Sequence, residues 1–95
     1  MTKEMGLLRE MLDAEGIEWH DASDTGPCPM CRTHFIHRGY NWSVIHGYGS
    51  YGGYSRLTRD EGLLELMSGA ANGGDPIGYL TAKEAMRYVK GEHQC

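Results

Sequence analysis

The sequence predicts an α+β fold in which a small antiparallel β-sheet is flanked by an N-terminal and a C-terminal helix, all within one domain covering residues 1–95. Three observations carry this reading. Apolar residues recur at helical spacing at the start of the chain, and a Thr-x-x-Glu box opens a second helical stretch near its end. Between them, two aromatic and β-branched runs are parted by Arg38-Gly39. Ten of the fourteen glycines fall between Gly39 and Gly78, which places the irregular structure in the middle and the helices on either side.

The first helix is expected over Thr2–Glu15, where Met5, Leu8 and Leu12 form a stripe that Leu7 and Met11 widen, and Gly16 supplies the stop. Ile17-Glu-Trp-His20 alternates apolar and polar and reads as a short strand, followed by a loop from Asp21 to Cys31. Thr33–His37 and Tyr40–His46 read as the arms of a hairpin turning at Arg38-Gly39. In the second arm Tyr40, Trp42 and Val44 share one face, with Trp42 and Val44 in the core, and Asn41, Ser43 and Ile45 share the other. The sheet is thereby centred on residues 33–54. Gly62–Gly69 fits a short helix or a strand equally, and Ala70–Asp75 is a loop. Pro76–Leu80 leads into Thr81-Ala-Lys-Glu84, a capping box that starts a helix through Lys90 with Ala85, Met86 and Val89 inward and Gly91 at its end.

A domain of 95 residues buries only about two-thirds of the surface its unfolded chain exposes, so its core is small. No apolar run approaches the roughly 18 residues of a membrane span, and Met1-Thr2-Lys3-Glu4 runs into a charged amphipathic segment, so a cytoplasmic protein is expected. Nine Lys and Arg against thirteen Asp and Glu leave a net charge of -4, which argues against direct nucleic-acid binding through a basic face. A free nucleotide stays admissible, because a small anion needs only a few local donors.

The run Tyr40–Tyr54 holds four tyrosines, one tryptophan and four glycines in fifteen positions. Gly47-Tyr-Gly-Ser-Tyr-Gly52 spells G-x-G-x-x-G, yet no helical period follows it, so it fails as a dinucleotide fingerprint. Two readings stay open. The loop either closes a hairpin, or its residues Tyr48, Gly49, Ser50, Tyr51, Gly52, Gly53 and Tyr54 bind a ligand, with tyrosines stacking a base and backbone amides holding a phosphate beside Arg56 and Arg59. Cys28-Pro-Met-Cys31 has the form of one zinc knuckle, and Cys28, Cys31 and His34 are the candidate ligands. Completing such a site would call on His20, His46, Cys95 or another subunit, and His34 and His37 fall on opposite faces of a strand. A loop-borne pair of reduced cysteines is the simpler alternative, with no cofactor. No nucleophile, base and orienting group fall into a pattern, so no enzyme is expected.

Leu7-Leu-Arg-Glu10, Gly16-Ile-Glu-Trp-His-Asp21, Arg32-Thr-His-Phe35, Trp42-Ser-Val-Ile45, Gly49-Ser-Tyr-Gly-Gly53, Gly62-Leu-Leu-Glu-Leu66 and Leu80-Thr-Ala-Lys-Glu84 together resemble short accessory proteins of bacteriophages and integrated elements. That group includes inhibitors of bacterial immunity, and Cys28–Cys31 is not among its shared segments. The resemblance implies a protein acting in the host cytoplasm without catalysis, and two mechanisms fit. One is a sponge that sequesters a nucleotide signal at the Gly/Tyr loop. The other is an anti-CRISPR-like blocker of a defence protein, with Asp13, Glu15, Glu18, Asp21 and Asp24 as a phosphate-mimicking face. A small structural module is the third reading. A sponge this small encloses a ligand most easily between subunits, so a homo-oligomer is expected, with Leu63, Leu66 and Met67 supplying part of the contact.

Overall fold

A computed structural model describes residues 3–24, 30–47, 50, 53 and 62–91. The elements run α1 (Lys3–Ala14), β1 (Trp19–Asp21), β2 (Met30–His37), β3 (Tyr40–Gly47), β4 (Leu64–Ser68), a short 3-10 turn at Asn72–Gly74, β5 (Ile77–Leu80) and α2 (Ala82–Val89). The five strands form one antiparallel sheet in chain order, with β3 in the centre. The fold is α+β, and the sheet is broader than a hairpin centred on residues 33–54.

Helix α1 ends as its sequence demands. Gly16 takes φ 72°, a left-handed value that costs glycine nothing. Its N–H then bonds the Asp13 carbonyl while the Ile17 N–H bonds that of Leu12 at 2.9 Å. This is the Schellman arrangement, and it buries Ile17 in the same core as Leu12. Ile17 therefore belongs to the helix stop, and β1 starts two residues later than expected, at Trp19. The loop expected over Asp21–Cys31 is likewise shortened. Ala22 and Asp24 donate to the carbonyls of Arg32 and Met30, so the pairing of β2 reaches back to Met30.

Between β2 and β3, Arg38 and Gly39 have φ 55° and 77°, the two positive values of a type I′ turn. Asparagine suits the first position better than arginine does, yet Arg38 has other contacts. Its Nε and Nη2 donate to the carbonyls of Val89 and Tyr88 at the end of α2, at 3.0 and 3.3 Å, and its guanidinium lies 5.7 Å from the centre of the Trp42 ring. Replacing Arg38 by asparagine relieves about 1 kcal/mol of left-handed strain. The same change removes charge-assisted bonds worth about 1.5–3 kcal/mol to terminal helix carbonyls. Arg38→Asn should therefore lower stability by about 1 kcal/mol net in urea unfolding, and a stabilised variant would show that these contacts contribute nothing.

Strand β4 settles the ambiguous apolar run. Leu64, Leu66 and Ser68 point inward and Glu65 and Met67 outward, a period of two that only a strand produces. At β5 the register slips, with Leu64 opposite Leu80 but Leu66 opposite Ile77, and the bulge places Tyr79 at φ 59°. Helix α2 opens with the expected capping box, Thr81 and Glu84 satisfying each other's N–H groups. Glu4 of α1 also accepts the Ala82 N–H at 2.8 Å, tying the two helices together at their N-terminal ends.

One core holds the fold together. Met5, Leu8 and Leu12 of α1 and Ala85, Met86 and Val89 of α2 pack with Phe35, Trp42, Val44, Leu64, Leu66 and Leu80 of the sheet. Both helices thus cover the same sheet face. Leu66 is fully buried there, which removes it from the expected contact between subunits, whereas Met67 is 44% exposed on the opposite face. Among the described residues, no helix is long and apolar enough to cross a membrane.

Candidate functional site: the open face of the sheet

With both helices on one side, no described element covers the other side of the sheet, and strand alternation decides which residues it displays. The pairing puts His20, His34, Ser43 and Met67 in one row across β1, β2, β3 and β4. Ile36 and Asn41 pair in the next row, and Arg32, Ile45 and Glu65 form the row on the other side. Ile36 is 70% exposed, unusual for a branched aliphatic side chain.

The face is hollowed. A cleft of about 670 Å³ is lined by Glu18, His20, His34, Ile36, Asn41, Ser43, Met67 and Gly69, with Phe35, Trp42, Ser68 and Gly74 also bordering it. A smaller depression of about 220 Å³, lined by Arg32, His34, Ser43, Ile45, Glu65 and Met67, shares three of those residues and continues the groove along the strands. Two imidazoles, an amide and a hydroxyl offer hydrogen-bonding groups that can donate or accept, over an apolar floor of Ile36 and Met67.

The expected binding loop lies mostly outside the described residues: Tyr48, Gly49, Tyr51, Gly52, Tyr54, Arg56 and Arg59 are all in that position. Its two described members serve the loop itself. The Ser50 hydroxyl donates to the Gly47 carbonyl at 3.0 Å and accepts the Gly47 N–H at 3.0 Å, while Gly53 N–H bonds the Ser50 carbonyl. A Cβ on buried Gly53 would collide with the Gly47 carbonyl oxygen and the Ser50 hydroxyl, so close backbone approach explains that glycine.

Of the zinc candidates, Cys28 lies outside the described residues. Cys31 is a free, half-buried thiol whose side of the sheet is that of Thr33 and Phe35, whereas His34 is exposed on the open face. They cannot share an ion. The residue opposite Cys31 in register, on its own side, is the buried His46. Among the described residues, no three His, Cys, Asp or Glu side chains gather as a metal set.

The proposed acidic face is largely engaged within the chain. Asp13 accepts the Trp19 indole N–H at 2.9 Å, and Glu15 pairs with Lys90 at 2.7 Å, a hydrogen bond that holds its carboxyl below the usual range. Asp21 accepts from the Ser23 N–H and meets Arg9 at 3.3 Å, and Asp24 lies 3.9 Å from Arg32. Glu18 alone of the five lines the cleft.

In the sequence His34 stands close to Cys31, but the fold places it with His20 and Ser43 instead. The cleft required the register of four strands, and the polar side of β3 (Asn41, Ser43) was the signal available for it. No protein-family model, curated protein or solved structure matches this chain.

Proposed function

We propose that this protein is a phage-type accessory protein that binds and sequesters a nucleotide without catalysis, with the open-face cleft as the seat. The cleft carries the reading. Its volume of about 670 Å³ falls within the roughly 300–1,000 Å³ of small-molecule sites. Ile36 and Met67 offer an apolar bed for a base, and His20, His34, Asn41 and Ser43 offer partners for its polar edge or for phosphate oxygens. The Gly/Tyr segment leaves β3 at Gly47, the end of the strand away from Asn41 and Ser43, so Tyr48, Tyr51, Tyr54, Arg56 and Arg59, which lie outside the described residues, remain a separate candidate set of ligand contacts. The role in immune evasion, in the cytoplasm of a host cell, rests on the resemblance of the sequence segments to phage accessory proteins.

The blocker alternative is weaker, because four of its five acidic residues have partners within the chain. A thermal-shift screen against linear and cyclic nucleotides tests the proposal. A ligand at 100 times its dissociation constant adds about 2.7 kcal/mol, which for a domain of this size raises the melting temperature by roughly 11–22 °C. The His34→Ala/Asn41→Ala variant, altered only at exposed positions, should melt like the parent and lose the shift. A flat screen with well-folded protein would overturn the nucleotide reading.

A further inference from the structure

We infer that the open face is covered by a second copy of this chain, the two sheets packing face to face about a twofold axis that runs along β3. The inference does not rest on the nucleotide, which would compete with the second copy for Ile36 and Met67.

Strand order makes the face self-complementary. Because β3 is central in β1-β2-β3-β4-β5, a twofold axis lying between the sheets and along β3 sets β3 on β3, β2 on β4 and β1 on β5 of the second copy. Positions along the strands are unchanged by that rotation. Arg32 and Glu65 flank Ile45 in a single row, so each Arg32 comes to lie over Glu65 of the second copy, giving two equivalent ion pairs around an Ile45–Ile45 contact. Arg32 keeps donors for this, since its contact with Asp24 is a single one at 3.9 Å.

Shape agrees with charge. Ile36 is the most protruding apolar side chain of the face, and in its own row Asn41 separates it from Gly69, one step beyond the Trp42–Ser68 pair. The rotation carries Ile36 over Gly69 of the second copy, beside the half-exposed Tyr40 ring that stands 3.7 Å from where a Gly69 Cβ would lie, an apolar contact for Ile36. The rotation of about 30° between aligned sheets displaces these off-axis pairs by a few ångströms, within reach of long side chains.

The alternatives for self-association are poor. Strand β1 has three residues, and β5 has four, interrupted by a bulge with Tyr79 at φ 59° and preceded by Pro76, so neither edge templates another strand well. The molecule measures 36 × 26 × 19 Å. Its thin dimension is that of two packed layers, so the open face lies on the broad side. In such a pair each cleft is closed by the sheet of the other subunit, which contributes its Met67 opposite His34.

Sedimentation velocity on the intact chain tests this. At about 100 μM the protein should be a dimer. Ile36→Arg, at a 70% exposed position that folding does not need, should weaken association by about 100-fold with an unchanged circular dichroism spectrum. Arg32→Glu and Glu65→Arg should each weaken self-association, and mixing the two should produce a 1:1 heterodimer, a rescue in trans that contacts within one chain cannot imitate. A wild-type monomer at that concentration, or a dimer indifferent to Ile36→Arg, overturns the inference. So does a mixture of the two folded charge variants that fails to pair. If either charge variant does not fold, Ile36→Arg alone decides.

Discussion

Replacing Trp42 by alanine should remove about 3–5 kcal/mol of stability, out of a total that for small domains is about 5–15 kcal/mol. Trp42 is 1% exposed on the central strand, so little of the space it vacates can be filled by collapse. Three contacts go with it. Its ring stacks on Phe35 with centroids 6.2 Å apart and planes 4° from parallel, its indole N–H donates to the His37 carbonyl at 3.0 Å, and the Arg38 guanidinium loses its aromatic platform. Trp42→Phe keeps the stacking partner but leaves the His37 carbonyl without this donor, which alone costs about 1–3 kcal/mol. The order wild type, Trp42→Phe, Trp42→Ala should therefore appear in urea midpoints followed by circular dichroism. A loss below about 1 kcal/mol for Trp42→Ala would contradict the packing of both helices on this side of the sheet.

The parts of the fold legible in the sequence are those whose causes are local. Helix α1 is set by the spacing of Met5, Leu8 and Leu12 and stopped by a glycine whose φ is positive, and α2 is set by Thr81 and Glu84 three positions apart. The hairpin turn needs only Arg38-Gly39 between two strand-forming runs. What is not legible depends on partners distant in the chain. Leu64–Ser68 becomes a strand because β3 pairs with it, and without that pairing Met67 has no assignable face. The bond from Ala82 to Glu4 spans 78 positions, and nothing near either residue announces it.

The candidate site follows the same division. That His34 and Cys31 occupy opposite sides follows from strand alternation alone, once β2 is known to extend back to Met30. That His34 stands beside His20 and Ser43 requires the register of β1 on β2 and β2 on β3. Net charge was a poor guide to an acidic face for a related reason. Charge is counted along the chain, whereas Arg9, Arg32 and Lys90 meet Asp21, Asp24 and Glu15 only after folding.

Arg9→Ala should be the most damaging change among the polar residues, at about 2–3 kcal/mol. The side chain is 12% exposed and binds in several directions at once. Nε donates to the Thr33 hydroxyl at 2.8 Å, Nη2 reaches the Arg32 carbonyl at 3.3 Å and Asp21 at 3.3 Å, and the guanidinium lies 4.7 Å from the centre of the Trp19 ring. Thr33 is fully buried, and its hydroxyl donates onward only to the sulfur of Met5, so without Arg9 its oxygen loses its strong partner. The Asp21 contact adds little, because its carboxylate is exposed and water screens the pair. Arg9→Lys restores the charge but not the fork, and should recover less than half of the loss. Acid titration separates the two roles. The Asp21 carboxyl is held below its usual range first by the Ser23 hydroxyl and N–H and only then by Arg9, against an opposing effect of burial. A carboxyl lowered by folding stabilises the protein above its unfolded-state pKa, and that contribution disappears as pH falls through the lower folded value. Ser23→Ala should therefore flatten the decline of the urea midpoint below about pH 4 more than Arg9→Ala does. Arg9→Ala should instead lower the midpoint by a similar amount across the whole pH range. A pH slope that vanished in Arg9→Ala would show that the guanidinium acts chiefly as a counter-ion rather than as the anchor of Thr33 and Trp19.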